Sequence, residues 1–528
     1  MKFVSFTKYI LLSVLVSITF LTGCTTPEAE QPNQSRLIET IDHTELISSY
    51  PNTVFYEIFV RAFSDSSGNG IGDINGMTAQ LDYLQELGIE GIWLMPIHPS
   101  PSYHGYDVMD YYEINPEYGT MDDFKTFMAE AHARNIKVVI DLVVNHSSTE
   151  HPFFQDAIAS KESPYRDWYI WADEDTNLRE RGEWGQPFWH GEAPNHYFSV
   201  FWGGMPDFNF YNDEVRQEMI NIGQYWLEEV GVDGFRLDAA KHIFPKDKEQ
   251  NLVWWKEFRA AMEEVKPDVF LVGEVWDLPQ VAGPYLEDGL HSTFNFDLAE
   301  DILKVAMTER GGSLVPKLIR SLTTFERYST DFVDSTFITN HDINRVMSEL
   351  RGNEEQAKMA ASLLLTLPGS PFIYYGEEIG MQGAKPDEHI REPMLWYQDG
   401  GAGQTSWIKP KYDTGQDAPS VEAQLEDPNS LYNHYKTMIY LRRSEPTLLF
   451  GEITESPIRI QGSLAYKRIY NDEELHVIHN LSRNELEINL EDEDAGQVIF
   501  ATKKEYTISD GIVTLPPYST VIFTKTLN

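Results

Sequence analysis

Four short runs of the chain end in groups able to move protons or hold charge: DLVVNH (141–146), GFRLDAAKH (234–242), GEVW (273–276) and TNHD (339–342). Within the second, Arg236 and Asp238 alternate with Phe235 and Leu237. Side chains two apart in a strand share a face, so one face carries a guanidinium and a carboxylate and the other is apolar. Charge is costly to bury unless it is paired or used. Glu274 and Asp342 add two carboxyls, and His146 and His341 two imidazoles. Two carboxyl groups flanking a glycosidic bond can split it: one protonates the leaving oxygen while the other attacks the anomeric carbon or activates water. Adjacent acids keep each other's pKa values apart. A nearby arginine would hold the nucleophile ionised and oriented, and Arg236 is spaced for that task. A single acid at a strand end is ordinarily a loop cap; several polar clusters at equivalent strand ends are not explained that way.

Such scattered runs need a frame that brings them to one rim. Strand-like stretches occur at TVFYEIFV (53–60), GIWLMPI (91–97), KVVIDLVV (137–144), VDGFRLDA (232–239), DVFLVGEVW (268–276), HSTFNF (291–296), STFITNHD (335–342) and PFIYYGEE (371–378). Helical stretches lie between them, as where Met77, Leu81, Leu84 and Leu87 recur at helical spacing. Eight strands alternating with helices predict a (β/α)8 barrel, whose active-site groups sit at the C-terminal strand ends. Roughly seventy residues rich in Trp, Tyr, Pro and Gly separate the third strand from the next helix, too many for a structureless loop. They predict an inserted domain at 146–210, with the barrel spanning 51–145 and 211–448. Beyond it, LAYKRIY, LHVIHNL, EINL, GQVIF and YSTVIF alternate in the manner of strands, predicting an all-β domain at 449–528.

The chain has 528 residues, 41% hydrophobic and 13% aromatic, enough for a large core. Lys and Arg total 41 against 83 Asp and Glu, so the net charge is 41 − 83 = −42. Such a surface repels phosphates and excludes nucleic acid as a partner. Lys2 and Lys8 precede an apolar run at 9–21, too short for a spanning helix and suited to a secretory signal over 1–23. The run ends in LTGC, where Cys24 is the sole cysteine, so no intramolecular disulfide can form. Leu-Thr-Gly-Cys resembles a bacterial lipobox, in which the cysteine is lipidated and becomes the mature N-terminus. With a polar tether over 24–50, the expectation is an exported protein on the outer face of the cell membrane, touching it only through lipid, or released to the medium.

DLVVNH, GFRLDAAKH, GEVW and FITNHD resemble, in order, the four signature regions of the α-amylase family, glycoside hydrolase family 13. The resemblance runs from about residue 53 to the C-terminus. It implies a barrel, a domain inserted after the third strand, a C-terminal antiparallel β-sandwich and a retaining mechanism. By position, Asp238 matches the nucleophile, Glu274 the general acid/base and Asp342 the acid that stabilises the transition state. Arg236, His146 and His341 match residues around the cleaved sugar, while Asp141 is expected to hold the barrel rim together. HGYDVMDYY (104–112) resembles the segment supplying an aromatic platform, Tyr106. Arg391 in IREPMLW resembles a sugar-contacting arginine of related glucosidases, although an acid of those enzymes falls where this chain has His104. Lys241 and His242, with Trp276, are expected on the substrate path; the Lys-His pair resembles amylases that cut α-1,4 bonds. MPDFNF (205–210) resembles instead the MPDLN region of a group between oligo-1,6-glucosidases and neopullulanases, with Phe208 for Leu. The implied activity is endo-acting α-1,4 cleavage of starch and maltodextrins by a monomer. Neopullulanase or cyclomaltodextrinase activity is one alternative, and a non-catalytic maltodextrin-binding lipoprotein is another.

DSSGNGIGD (65–73) has oxygen-bearing residues at positions one, three, five and nine, a glycine at six and a carbonyl at seven, like the opening of a calcium loop. Gly76 stands where an EF-hand has its glutamate, so this is not an EF-hand. It resembles the loop after the first barrel strand in many family members. The expected structural Ca2+ ligands are Asp65, Ser67, Asn69, the Ile71 carbonyl and Asp73. A second calcium, held in many amylases by groups matching Asn145 and the His242 carbonyl, stays open because no acid from the inserted domain is identified.

Overall fold

The computed structural model describes residues 46–415, 418–490 and 495–525. The signal segment, Cys24 and the tether up to residue 45 lie outside the described residues. No helix of the described residues is long and apolar enough to cross a membrane.

Eight strands close into a parallel barrel: β1 (Phe55–Ile58), β2 (Gly91–Leu94), β3 (Lys137–Leu142), β4 (Gly234–Leu237), β5 (Phe270–Gly273), β6 (Ser292–Phe294), β7 (Val333–Phe337) and β8 (Ser370–Tyr374). Each neighbours its sequence successor, and β8 returns to β1. The strands are shorter than the apolar runs that announce them. Val60, read from sequence as strand, instead opens a helical turn, Val60–Phe63. Beyond the paired middle, tilted barrel strands leave the ladder, so hydrophobicity outlasts pairing.

The period-two pattern sorts side chains as expected. Phe55, Trp93, Val139, Phe270, Phe294, Phe337 and Phe372 fill the interior, with Phe55 and Phe372 stacked at 4.4 Å and 3°. Phe235 and Leu237 face the helical layer. At Gly91 a Cβ would lie 2.4 Å from the Phe55 ring, so only glycine admits the stack there. The helices begin where side chains satisfy their free N–H groups: Thr120 and Asp123 form a capping box on Met121–Ala133, while Asn212 and Asp247 cap Asp213–Tyr225 and Lys248–Val265.

Between β3 and the helix Asp213–Tyr225, the chain forms a helix, Pro152–Ala159, and a short antiparallel pair, Trp189–His190 with Tyr197–Phe198. Bridges His146↔Asp207 and Tyr169↔Phe208 anchor this segment beside the exit of β3. Past the barrel, β9 (Glu452–Glu455), β10 (Ser463–Tyr470), β11 (Glu473–Asn480), β12 (Leu486–Asn489), β13 (Ala495–Ala501), β14 (Thr507–Ser509), β15 (Ile512–Leu515) and β16 (Ser519–Lys525) form a five-stranded and a three-stranded antiparallel sheet. Ile478, Val498 and Phe523 of one sheet share a core with Ile488, Val513 and Leu515 of the other. This is the expected sandwich. β9, β14 and β15 were not foreseen; β9 and β14 are exposed edges with weak apolar alternation, and β15 is a four-residue strand.

Candidate active site

The polar end of the barrel interior begins where its aromatic filling stops. Register places Asp141 of β3 opposite Arg236 of β4, and the guanidinium lies 5.2 Å from the centroid of the Trp93 ring. From this seat Arg236 Nη1 donates to Asp141 Oδ1 at 2.9 Å and to Asp238 Oδ1 at 2.7 Å, while Nη2 reaches Glu274 Oε2 at 2.9 Å. One planar donor fork thus bridges three carboxylates from three strand ends. The chain turns sharply after Asp238: Ala239 adopts a left-handed φ of 50°, and its amide N–H donates to Glu274 Oε2 at 3.1 Å. A non-glycine residue in that region carries strain, and here the turn aims a donor at the second acid.

A second group faces the first. Asp342 accepts from His341 Nε2 at 3.1 Å and from Arg391 Nη2 at 2.9 Å. His341 also donates through Nδ1 to Glu57 Oε1 at 2.5 Å. Tyr106 joins the groups: its hydroxyl donates to Asp141 Oδ2 at 3.0 Å and lies 2.7 Å from His341 Nε2. Its ring lies nearly parallel to that imidazole, at 5.6 Å and 17°.

These contacts divide the charges. Burial raises Asp238 and Glu274 above the ordinary carboxylate range, with Arg236 opposing the rise at both. As expected, Arg236 favours the ionised form of Asp238, but it acts against a rise that burial and the neighbouring Asp342 drive. Burial pushes Asp141 up to about 7, again against Arg236. At Asp342 burial is overcome by His341 and Arg391, which hold the carboxyl far below its usual range. At His341 burial is overcome by Asp342 and Glu57, which lift the imidazole to about 9, so it is an imidazolium at neutral pH. The site thus sets carboxyls raised by burial beside one carboxylate held firmly ionised, an arrangement that separates the acids by environment.

The remaining expected residues lie around this centre. His146 is buried, its Nε2 lying 3.1 Å from the Tyr106 carbonyl oxygen and its ring edge-on to Phe201 at 5.4 Å. Lys241 Nζ donates to the Trp276 carbonyl at 3.1 Å and lies 3.4 Å from Asp277 and 3.5 Å from Glu183. His242 sits against Phe201 and Trp184, at 5.6 and 5.8 Å. Trp276 is exposed, and its ring stacks on Phe296 at 4.4 Å and 7°. Sequence reading missed Glu57 and Trp93. Glu57 was findable, because Phe55 and Glu57 share one face of β1 as Arg236 and Asp238 share one face at β4, and one face of each strand must look inward.

Asp65, Ser67, Asn69, Ile71 and Asp73 lie apart, in the loop after the first helical turn. Gly70 takes a φ of 90°, as the spacing requires. The buried carboxylates of Asp65 and Asp73 converge on the Ser67 amide, at 2.9 and 3.2 Å. No basic side chain of the described residues forms an ion pair with either. Asp65 accepts from the Ser67, Gly68 and Gly70 amides and Asp73 from the Ser66, Ser67 and Gly76 amides; carboxylates beside hydroxyl, amide and carbonyl oxygens are also donor types that a hard cation takes. Elsewhere, Asp207 of MPDFNF in the inserted segment and Asn145 at the exit of β3 have a buried Oδ2 and a buried Oδ1 without a hydrogen-bond partner.

Comparison with known proteins agrees with this architecture. The family model described as "Alpha amylase, catalytic domain" matches residues 57–451, and that of the "Alpha-amylase SusG C-terminal domain" matches 464–522. Alpha-amylase 3 of Dictyoglomus thermophilum is 45% identical over 474 residues, covering 90% of this chain and 93% of its own. A 4-alpha-glucanotransferase of Thermotoga neapolitana is 35% identical, covering 82% of this chain and 96% of its own. The crystal structure of an alpha-amylase from H. orenii superposes with a TM-score of 0.84 at 43% identity, covering 89% of this chain and 99% of that one.

Proposed function

The chain belongs to the α-amylase family of glycoside hydrolases, and from that premise we propose that it cleaves α-1,4-glucosidic bonds within starch and maltodextrins by double displacement. The observation carrying this reading is the Arg236 fork shared by Asp238 and Glu274, with Asp342 held separately by His341 and Arg391. A guanidinium that touches both carboxylates favours direct attack over an arrangement with water seated between them. Asp238 attacks the anomeric carbon while Glu274 gives its proton to the departing glycosidic oxygen. Asp342, ionised throughout, stabilises the positive charge that develops on the ring. Glu274, now a carboxylate, then takes a proton from water, whose oxygen displaces Asp238 from the anomeric carbon. Tyr106 supplies the ring against which the reacting sugar packs, and His146, His341 and Arg391 hold the walls around it.

NMR of early products from maltoheptaose tests this: α-anomers cut from internal bonds are expected, and an initial β-anomer contradicts retention. Asp238→Asn is expected to abolish cleavage without loss of fold; near wild-type activity in that variant would sink the assignment. A second reading, neopullulanase or cyclomaltodextrinase activity, draws on MPDFNF and on the glucanotransferase among the relatives. Parallel rates on starch, pullulan and cyclodextrin separate the two.

The proposal includes one structural Ca2+ at Asp65, Ser67, Asn69, the Ile71 carbonyl and Asp73. When bound it would neutralise the two convergent carboxylates and stiffen the loop after β1. It includes a monomeric enzyme carried outside the cell on lipidated Cys24, the tether giving it reach to glucan. Cys24→Ser is expected to shift the protein from membrane to medium, and an unchanged distribution counts against the anchor.

A further inference from the structure

Glu57 is a buried acid that the reaction described above does not use. It lies on the inward face of β1, 1% exposed, in register with Trp93 of β2 and Tyr374 of β8. The layer it borders is aromatic, with Phe55, Trp93, Phe270 and Phe372 packed together. Among the described residues no lysine or arginine forms an ion pair with it; its cationic partner is His341, whose Nδ1 donates to Oε1 at 2.5 Å. A carboxylate beside such a layer is costly to bury unless it is paired, and an apolar side chain would fill the space at lower cost. Packing alone therefore does not account for Glu57.

The other edge of the imidazole shows what the carboxylate does. His341 is fully buried, and its Nε2 lies 3.1 Å from Asp342 Oδ2 and 2.7 Å from the Tyr106 hydroxyl. Arg391 Nε donates to the His341 carbonyl at 3.0 Å, while its Nη2 donates to Asp342 Oδ1 at 2.9 Å. Trp93 meets the ring edge-on at 5.4 Å. Across Tyr106 stand Asp141 and Arg236, at 3.0 and 3.4 Å from its hydroxyl, with Asp238 beyond them on Arg236. A neutral imidazole carries one N–H. With that proton on Nδ1, Nε2 would turn a lone pair toward the Asp342 carboxylate. With it on Nε2, Nδ1 would turn a lone pair toward Glu57. Only the imidazolium serves both acids, and Asp342 and Glu57 together lift it to about 9 against burial.

We propose that Glu57 is a positioning residue of the cleavage reaction: by accepting from Nδ1 it keeps His341 doubly protonated, so that Nε2 always offers Asp342 a donor. This rests on the hydrolase reading above. Glu57 acts through His341 on Asp342, the acid that stabilises the charge developing on the sugar ring. Without the Glu57 charge the imidazole would lose its proton more readily. Asp342 would then face a lone pair, and would take up a proton or turn away where the transition state needs it ionised and fixed. Ground-state binding makes little use of that fixed charge, so the loss should fall on kcat rather than on KM.

The test compares full-length wild type and Glu57→Gln by two readouts. The first is NMR of isotope-labelled histidine, with the His341 signal identified as the one missing from His341→Gln. In wild type that imidazole should stay protonated up to about 9, and in Glu57→Gln its titration should fall by about one pH unit. The second is turnover of maltoheptaose, where Glu57→Gln should lower kcat about tenfold with KM nearly unchanged. Glu57→Asp, which keeps the charge, should recover most of both. A wild-type His341 that titrates in the ordinary histidine range overturns the inference, whether or not Glu57→Gln folds. So does a titration that Glu57→Gln leaves unmoved, and so does an equal loss in Glu57→Gln and Glu57→Asp, which would mark a packing role alone. Wild type that cuts maltoheptaose, with kcat unchanged in Glu57→Gln, sinks only this inference. Wild type that leaves maltoheptaose uncut sinks the hydrolase reading and the positioning role together.

Discussion

Arg236 donates to Asp141, Asp238 and Glu274 at once, so removing it changes several titrations together. With Arg236→Gln, burial meets less opposition at Asp238 and lifts its carboxyl further. The nucleophile must be ionised, so the acid limb of the kcat/KM profile should move to higher pH, with neutral-pH activity down about 100-fold. A pH–rate series checks this, and an unmoved acid limb would count against the role of Arg236. Glu377, at the end of β8, shows the same physics without catalysis. It accepts from Tyr435 and Thr339, at 2.8 and 3.1 Å, and burial raises it to about 8. A carboxyl raised in the folded state binds its proton more tightly there than when unfolded. Its contribution is fully present below its unfolded pKa and is lost as pH rises through about 8. Glu377→Gln should therefore gain stability over wild type across that window, on the order of 3 kcal/mol at its upper end. Urea titrations at acid and alkaline pH measure the difference, and a pH-independent gap would refute it.

At the scale of elements, short loops do what strands cannot. The β4 exit turns at Ala239 to point an amide at Glu274, a geometry a continuing strand would forbid. The 65–73 loop brings two carboxylates to one amide, where a bound cation would add to the backbone donors already holding them. Chelation of the wild-type protein should lower Tm on the order of 3 °C, reversed by added Ca2+ and absent in Asp65→Asn. A Tm unmoved by chelator would remove calcium from the account. Helix ends make a further demand. The last carbonyls of Glu354–Thr366 have no partners within the helix. Arg442, on the helix Leu431–Ser444, donates to Leu365 O and Leu367 O, and Arg468 on β10 donates to Thr366 O.

That last contact operates at the scale of the molecule. Arg468 lies in the C-terminal sandwich, fully buried, and also donates to Leu448 O and Gly451 O at the barrel's end. One guanidinium thus fastens the sandwich to the catalytic barrel by satisfying carbonyls that would otherwise be buried alone. Arg468→Met keeps the bulk but leaves them unpaired, and should cost about 3 kcal/mol. Denaturant unfolding followed by tryptophan fluorescence reads this, and an unchanged midpoint would show that apolar packing holds the two parts unaided. The acidic surface works in the opposite sense: with a net charge of −42 the folded chain repels itself.

Much of this was legible before any coordinates. Periodicity of two placed Arg236 and Asp238 on the inner face, because alternation is a local property of extended chain. Strand and helix recurrence implied the barrel, and the barrel implied that the ends carrying Asp238, Glu274 and Asp342 meet. The extent of each strand was not legible, since pairing depends on neighbours distant in sequence while hydrophobicity does not. Glu57 escaped as a single acid in an apolar run, although the alternation that exposed Arg236 applies to it equally. Its link to His341, 284 residues further on, exists only once the barrel closes. The sequence by itself determined the fold class and the acids, because both follow from residue types at local spacing. Only the tertiary structure decided which cation each acid shares, and so which carboxyls are raised and which is held ionised, because burial and charge act through space and not along the chain.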